Sequence, residues 1–257
     1  MNVNKQEVIC CKGPEDISEA GAERLARLAN EAVRLNGRFT VALAGGSTPR
    51  SLYRLLSSGK YRNEIPWHKV HLFWGDERCV APDHPDSNYG MVYEELLSAI
   101  DMPLENVHRI KGELGEAAAP EYEKILEESF GIDGESFPRF DLVLLGMGDD
   151  GHTASLFPGT PAVSEEKRWV REVFVERLDS LRISLTPPVI RSAAEIMVLV
   201  GGEGKAAALK EVLRGAFDPG RYPAQILRKS VGAVTWLVDE AAAGLLTEEY
   251  RNDRKAE

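Results

Sequence analysis

The chain has 257 residues, 43% of them hydrophobic and 28% charged, with a formal net charge of −10. That is enough apolar material for a sizeable core, and the composition excludes a fibrous or disordered chain. The acidic balance argues against a nucleic-acid partner, which needs a basic face to neutralise phosphates. It does not argue against a small anionic substrate, for which the local field decides.

The first 14 residues read as a loose polar end, with Cys10-Cys11 as a small apolar patch. From 15 to 36, Ile17, Ala20, Leu25, Leu28, Ala29 and Val33 recur at helical spacing and Gly37 follows as a stop. FTVALAGG (39–46) reads as a buried strand running into a glycine turn, and TPRSLYRLL (48–56) as a helix with Pro49 in its first turn. VHLFWGDE (70–77) predicts a strand that ends in a charged loop, 87–100 a helix, 101–120 a connection and 121–130 another helix. FDLVLLGMG (140–148) is a third buried strand ending in glycine. Further strands are expected at 168–176, 182–186, 195–201 and 233–239, with a helix at 204–215 and a second loose end at 246–257. Strands alternating with helices indicate an α/β fold with a mostly parallel sheet. No low-complexity linker divides residues 1–257, so a single domain is expected. Cys10, Cys11 and Cys79 have no metal-ligand spacing and fit a reducing compartment. With no apolar leader and no apolar run of about 18 residues, the expectation is a cytoplasmic protein without a membrane span.

In open α/β sheets ligands bind beyond the carboxyl ends of the strands, and three strands here end in unusual loops. In AGGSTPR (44–50), Gly45 and Gly46 let a ligand approach the backbone, Ser47 and Thr48 offer hydroxyls, and the helix that follows has free N–H groups suited to phosphate. The same stretch also fits a tight turn with a Ser/Thr cap. It is neither a Walker A loop nor a dinucleotide fingerprint, so nucleotide binding is not supported. In WGDERC (74–79), Arg78 could bind phosphate or carboxylate and Asp76 could orient a sugar hydroxyl, though charge clusters are usually solvated surface. In GMGDDGHTASLFP (146–158), His152 stands two residues from Asp150, a spacing that lets a carboxylate fix the imidazole tautomer as a general base requires. Lone histidines are more often structural, but His68, His71, His84 and His108 have no comparable setting. Lys205 lies near a helix N-terminus, where an ammonium is unfavourable unless an anion is present. Arg182 opens a strand that runs into Pro187-Pro188 and reads equally as a surface arginine.

The ordered set ALAGGSTPRSLY (42–53), VHLFWGDERCVAPDHPDSNYGM (70–91), FDLVLLGMGDDGHTASLFPGTP (140–161), RISLTPPVIRSA (182–193), VLVGGEGKAAALKEVL (198–213) and PAQIL (223–227) resembles the 6-phosphogluconolactonase family over nearly the whole chain. The resemblance implies a modified Rossmann-like fold, a three-layer α/β/α sandwich shared with glucosamine-6-phosphate deaminases. It implies hydrolysis of a small sugar-phosphate lactone, 6-phospho-D-glucono-1,5-lactone, to 6-phosphogluconate in the oxidative pentose phosphate pathway, without cofactor or metal. Apart from the resemblance, a monomer or small homo-oligomer is expected. His152 then looks like the catalytic histidine and Asp150 like its orienting partner, with Ser47, Arg78 and Lys205 as phosphate and substrate contacts and Arg182 similar in setting. A deaminase or isomerase is the nearest alternative. Those enzymes carry an acidic residue five positions after the histidine, within Asn-Glu-Pro, where this chain has Phe157. A non-catalytic sugar-phosphate sensor is the other alternative, but binding alone needs no base.

Overall fold

The apolar runs of the sequence become the buried strands of one parallel sheet. The computed structural model describes residues 6–133 and 136–247. Seven strands, β1 (Gln6–Cys11), β2 (Phe39–Leu43), β3 (Val70–Trp74), β5 (Val107–His108), β6 (Leu142–Gly146), β9 (Glu195–Val200) and β10 (Ala233–Asp239), lie in the order β1-β10-β9-β6-β2-β3-β5. Every pairing is parallel. β2 and β6 are buried on both faces apart from Gly146, which is why they read as unbroken apolar runs rather than as alternating ones. Three antiparallel strands, β4 (Asp76–Arg78), β8 (Ser180–Leu185) and β7 (Val170–Val175), form a second sheet in the order β4-β8-β7.

The helices are α1 (Pro14–Asn36), α2 (Ser47–Leu56), α3 (Gly59–Glu64), α4 (Asn88–Glu95), α5 (Ala118–Phe130), α6 (Pro187–Ser192) and α7 (Ala206–Arg214). α1 ends where Gly37 turns left-handed at φ 76° and donates its N–H to the Val33 carbonyl. From β1 the chain steps across the sheet towards β5, and from β6 it steps back towards β10. Crossovers between parallel strands are right-handed, so helices of the outward leg and of the return leg cover opposite faces. The direction reverses between neighbouring strands β6 and β2. Loops leaving those two strands diverge and open a crevice at their carboxyl ends, where such folds hold ligands.

The structure departs from the sequence reading in several elements: the short strand β5 lies within the expected connection 101–120, and α3 and α6 were not anticipated. Residues 6–11, expected to be part of a loose end, form β1, paired along its whole length with β10. As an edge strand β1 is only partly buried, so its residues mix apolar with charged. Cys11 is buried there and Cys10 half-buried, which accounts for the apolar pair. The charged segment after β3 is not a loop but β4. Gly75 makes the joint: its N–H donates to Leu43 and its carbonyl accepts from Leu185. Residues 1–5 and 248–257 of the two expected loose ends lie outside the described residues. No helix among the described residues is long and apolar enough to cross a membrane.

Candidate active site

A cavity of about 240 Å³ opens at the β2–β6 crevice. Its floor comes from strand ends of the parallel sheet: Gly45, Gly46, Ser47 and Thr48 after β2, Gly146 to Gly148 and His152 after β6, and Gly201 and Lys205 after β9. Its side comes from the small sheet, through Asp76 and Arg78 on β4 and Arg182 on β8. Nine of the ten residues singled out by sequence therefore line one space. The tenth, Asp150, stands behind His152.

The turn into α2 is shaped by two glycines. Gly46 is the N-cap at φ 103°, a conformation open to glycine, and no side chain caps the helix, so the Ser/Thr cap is not formed. The first-turn N–H groups are left for a ligand. Gly45 lines the cavity, but a Cβ there would stand 2.0 Å from Asn88 Oδ1, so its missing side chain also makes room for Asn88. Asn88 in turn donates to the Asp76 backbone carbonyl at 2.9 Å.

On β4, alternate side chains have opposite duties. Asp76 and Arg78 face the cavity, while Glu77 points away and is buried. The Glu77 carboxylate accepts from the backbone N–H groups of Arg78, Asn88 and Tyr89 and from the Ser87 hydroxyl, and so anchors the start of α4. Burial pushes its pKa up, against the backbone N–H groups that favour the charged form. Asp76 accepts from the Ser155 hydroxyl at 2.7 Å. Ser155 is fully buried and committed to that bond, so it holds Asp76 and is not presented as a nucleophile. Arg78 and Arg182 are direct cross-strand partners. Like charges so placed repel. Burial lowers the Arg182 pKa and Arg78 adds to the effect, against Asp76, Asp86 and Glu77. The Nε atoms of both arginines are buried without a hydrogen-bond partner among the described residues. An anion between them would relieve the repulsion.

His152 is held by the loop after β6. The Gly148 N–H donates to the His152 carbonyl, Gly151 turns left-handed at φ 77°, and the Thr153 hydroxyl donates back to Gly146 at 2.8 Å. Asp150 Oδ1 lies 2.6 Å from His152 Nδ1 and also accepts the His152 backbone N–H at 3.0 Å. A carboxylate there assigns the proton to Nδ1 and leaves the lone pair on Nε2, which makes no hydrogen bond to a described residue. Burial alone would raise the Asp150 pKa. The hydrogen bonds from His152 and the charges of His152 and Arg177 outweigh it and hold the carboxyl at about 2. Because the folded pKa is depressed from 3.8, this group stabilises the fold above that value and loses its contribution as pH falls towards about 2. The stability difference between wild type and Asp150→Asn should shrink over that interval, as followed by circular dichroism in urea at each pH.

Four residues of this site escaped the sequence reading. Glu77 and Asn88 brace the β4 wall, Gly148 leaves space for the imidazole, and Arg177 donates to Asp150 Oδ2 at 2.6 Å. Among the described residues no group of three or more His, Cys, Asp or Glu side chains could hold a metal ion.

The family profile described as glucosamine-6-phosphate isomerases/6-phosphogluconolactonase matches residues 12–236. A 6-phosphogluconolactonase of Nostoc sp. is 41% identical over 218 residues, spanning 84% of this chain and 88% of that protein. One from Haemophilus influenzae is 40% identical over 216 residues, spanning 83% and 90%. The structure of 6-phosphogluconolactonase from Trypanosoma cruzi superposes with a TM-score of 0.85 at 31% identity, covering 95% of this chain and 98% of that one. With the profile and these relatives each spanning most of its length, the chain belongs to the glucosamine-6-phosphate isomerase/6-phosphogluconolactonase family.

Proposed function

We propose that this enzyme hydrolyses 6-phospho-D-glucono-1,5-lactone to 6-phospho-D-gluconate in the oxidative pentose phosphate pathway, with His152 as general base. The observation that carries the reading is the shared cavity. An imidazole whose Nδ1 faces Asp150 opens into the same space as an uncapped helix N-terminus and two arginines whose Nε atoms have no hydrogen-bond partner among the described residues. A δ-lactone is an activated ester, so a placed base and an oriented water suffice without a covalent intermediate. His152 Nε2 takes a proton from water as the oxygen adds to the lactone carbonyl. The bond from that carbon to the ring oxygen then breaks, and the imidazolium returns the proton to the departing oxygen. Water is consumed, the ring opens, and the new acid ionises. Asp150 holds the imidazole in the required tautomer and stabilises its charged form. The backbone N–H groups, Ser47 and Thr48 at the start of α2, with Arg78, Arg182 and Lys205, bind the phosphate and the sugar, and Asp76 orients a hydroxyl.

The deaminase alternative lacks its second proton carrier. Phe157 stands in the acidic position of that resemblance, with its ring stacked on His152 at 4.1 Å between centroids. A sensor would have no need of the Asp150–His152 arrangement. The proposed setting is the cytoplasm, where a charged sugar phosphate is retained.

The test is a coupled assay in which the lactone is generated in situ by oxidation of glucose 6-phosphate, run beside an ammonia-release assay on glucosamine 6-phosphate. Lactone turnover above the spontaneous rate with no ammonia is the expected result; ammonia release would give the deaminase assignment instead. Lys205→Ala should raise KM for the lactone about tenfold or more with little change in kcat, because an anchoring cation binds ground and transition states alike. A loss confined to kcat would contradict that role.

A further inference from the structure

Arg177 lies in the turn that joins β7 to β8, outside the cavity lining, with about half of its side chain exposed. Its Nη2 donates to Asp150 Oδ2 at 2.6 Å, and its guanidinium carbon stands 5.1 Å from the centre of the Phe157 ring. The Phe157 ring stacks on the imidazole of His152, the two planes inclined by 25°. Asp150 is therefore gripped on both oxygens. The inner one takes the imidazole Nδ1–H and the backbone N–H of His152, and the outer one takes the guanidinium.

We propose that Arg177 is a positioning residue for lactone hydrolysis: it fixes the Asp150 carboxylate so that the imidazole stays aligned with the bound substrate. The inference rests on the general-base reading of His152. The terminal torsion of an aspartate is broad, and a carboxylate held only through Oδ1 can rotate and carry the ring with it. A second hold at Oδ2 removes that freedom. Catalysis is sensitive to such alignment, since a reacting group must be kept near its attack geometry. An exposed ion pair contributes little to folding, so the effect of Arg177 belongs in turnover rather than in stability.

Opposed to this is a direct electrostatic effect. A cation near the imidazole disfavours its protonated form, and if that dominated, removing Arg177 would raise kcat. The hydrogen bond runs to Asp150 and not to the ring, and the carboxylate lies between them, so the orienting role prevails.

The experiment compares Arg177→Met, Arg177→Lys, Asp150→Asn, the double variant Arg177→Met/Asp150→Asn and His152→Ala, each as the full chain, in the coupled lactone assay with parallel thermal melts. Arg177→Met should lower kcat about tenfold, the worth of one charge-assisted hydrogen bond, with KM unchanged and the melting temperature within about 2 °C of wild type. Arg177→Lys should recover most of the lost kcat. In the Asp150→Asn background, the change to Met should alter the residual kcat by less than about twofold, because the group it acts through is gone. An unchanged or raised kcat in Arg177→Met, a rise in KM instead, or the same tenfold loss in the Asp150→Asn background overturns the proposal while leaving His152 as base. Full turnover in His152→Ala overturns both.

Discussion

His152→Ala should lose about two to four decades of kcat, the range a positioned general base contributes. The imidazole is the one group in the cavity that combines a fixed tautomer with an unengaged basic nitrogen. Nothing nearby replaces it: Ser155 is bonded to Asp76, and Asp150, held at about 2, remains a weak base turned towards Arg177. The helix N-terminus and the arginines stay in place, so binding of inorganic phosphate, measured by calorimetry, should survive within a few-fold. Lactone turnover in the coupled assay reads the first effect. If the rate above spontaneous opening were the same as wild type, the base would have to be sought elsewhere.

Gly148→Ala should come close to that loss without touching a charged group. A Cβ at 148 would lie 2.0 Å from His152 Nδ1, 2.2 Å from its Cε1 and 2.7 Å from Asp150 Oδ1. The ring cannot yield cheaply, because Phe157 is stacked on it. Either the imidazole leaves Asp150 or the loop moves, and both spoil the alignment of base and water. We expect kcat to fall about 10²-fold or more, with the far-ultraviolet spectrum unchanged. Gly46→Ala, where no atom comes nearer than 3.8 Å but φ is 103°, strains the backbone instead and should weaken phosphate binding. Wild-type kcat in Gly148→Ala would mean that the imidazole has a second productive position.

Much of this arrangement is legible in the residues alone, because a parallel sheet buries both faces of its strands. FTVAL and LVLLG announce themselves as unbroken apolar runs, and the loops that follow them then carry the site. Reading fails where a strand has a different reason to exist. β4 is three charged residues, Asp76–Arg78, and charge normally marks a solvated loop. Here it is a strand because Asp76 and Arg78 face a cavity while Glu77 finds three donors at the start of α4 and a fourth in the Arg78 backbone N–H. β1 fails for the opposite reason: an edge strand needs only part of its surface apolar. Arg177 and Asn88 are invisible by sequence because their importance is wholly tertiary. One reaches an aspartate 27 residues away, and the other fills the space left by a glycine. The pairing of His152 with Asp150 was legible because the two stand two positions apart, close enough for the chain itself to bring them together.

The three-stranded sheet has a consequence for how the enzyme can be altered. It carries Arg78 and Arg182 across one strand pair and Arg177 at the tip of the adjoining hairpin. On the proposed roles of these arginines, the grip on the anion and the bearing of the imidazole would hang from a single mechanical support. Redesigning the β7–β8 hairpin to accept a bulkier lactone would retune the chemistry at the same stroke, whereas exchanges in the α2 turn would leave the bearing untouched.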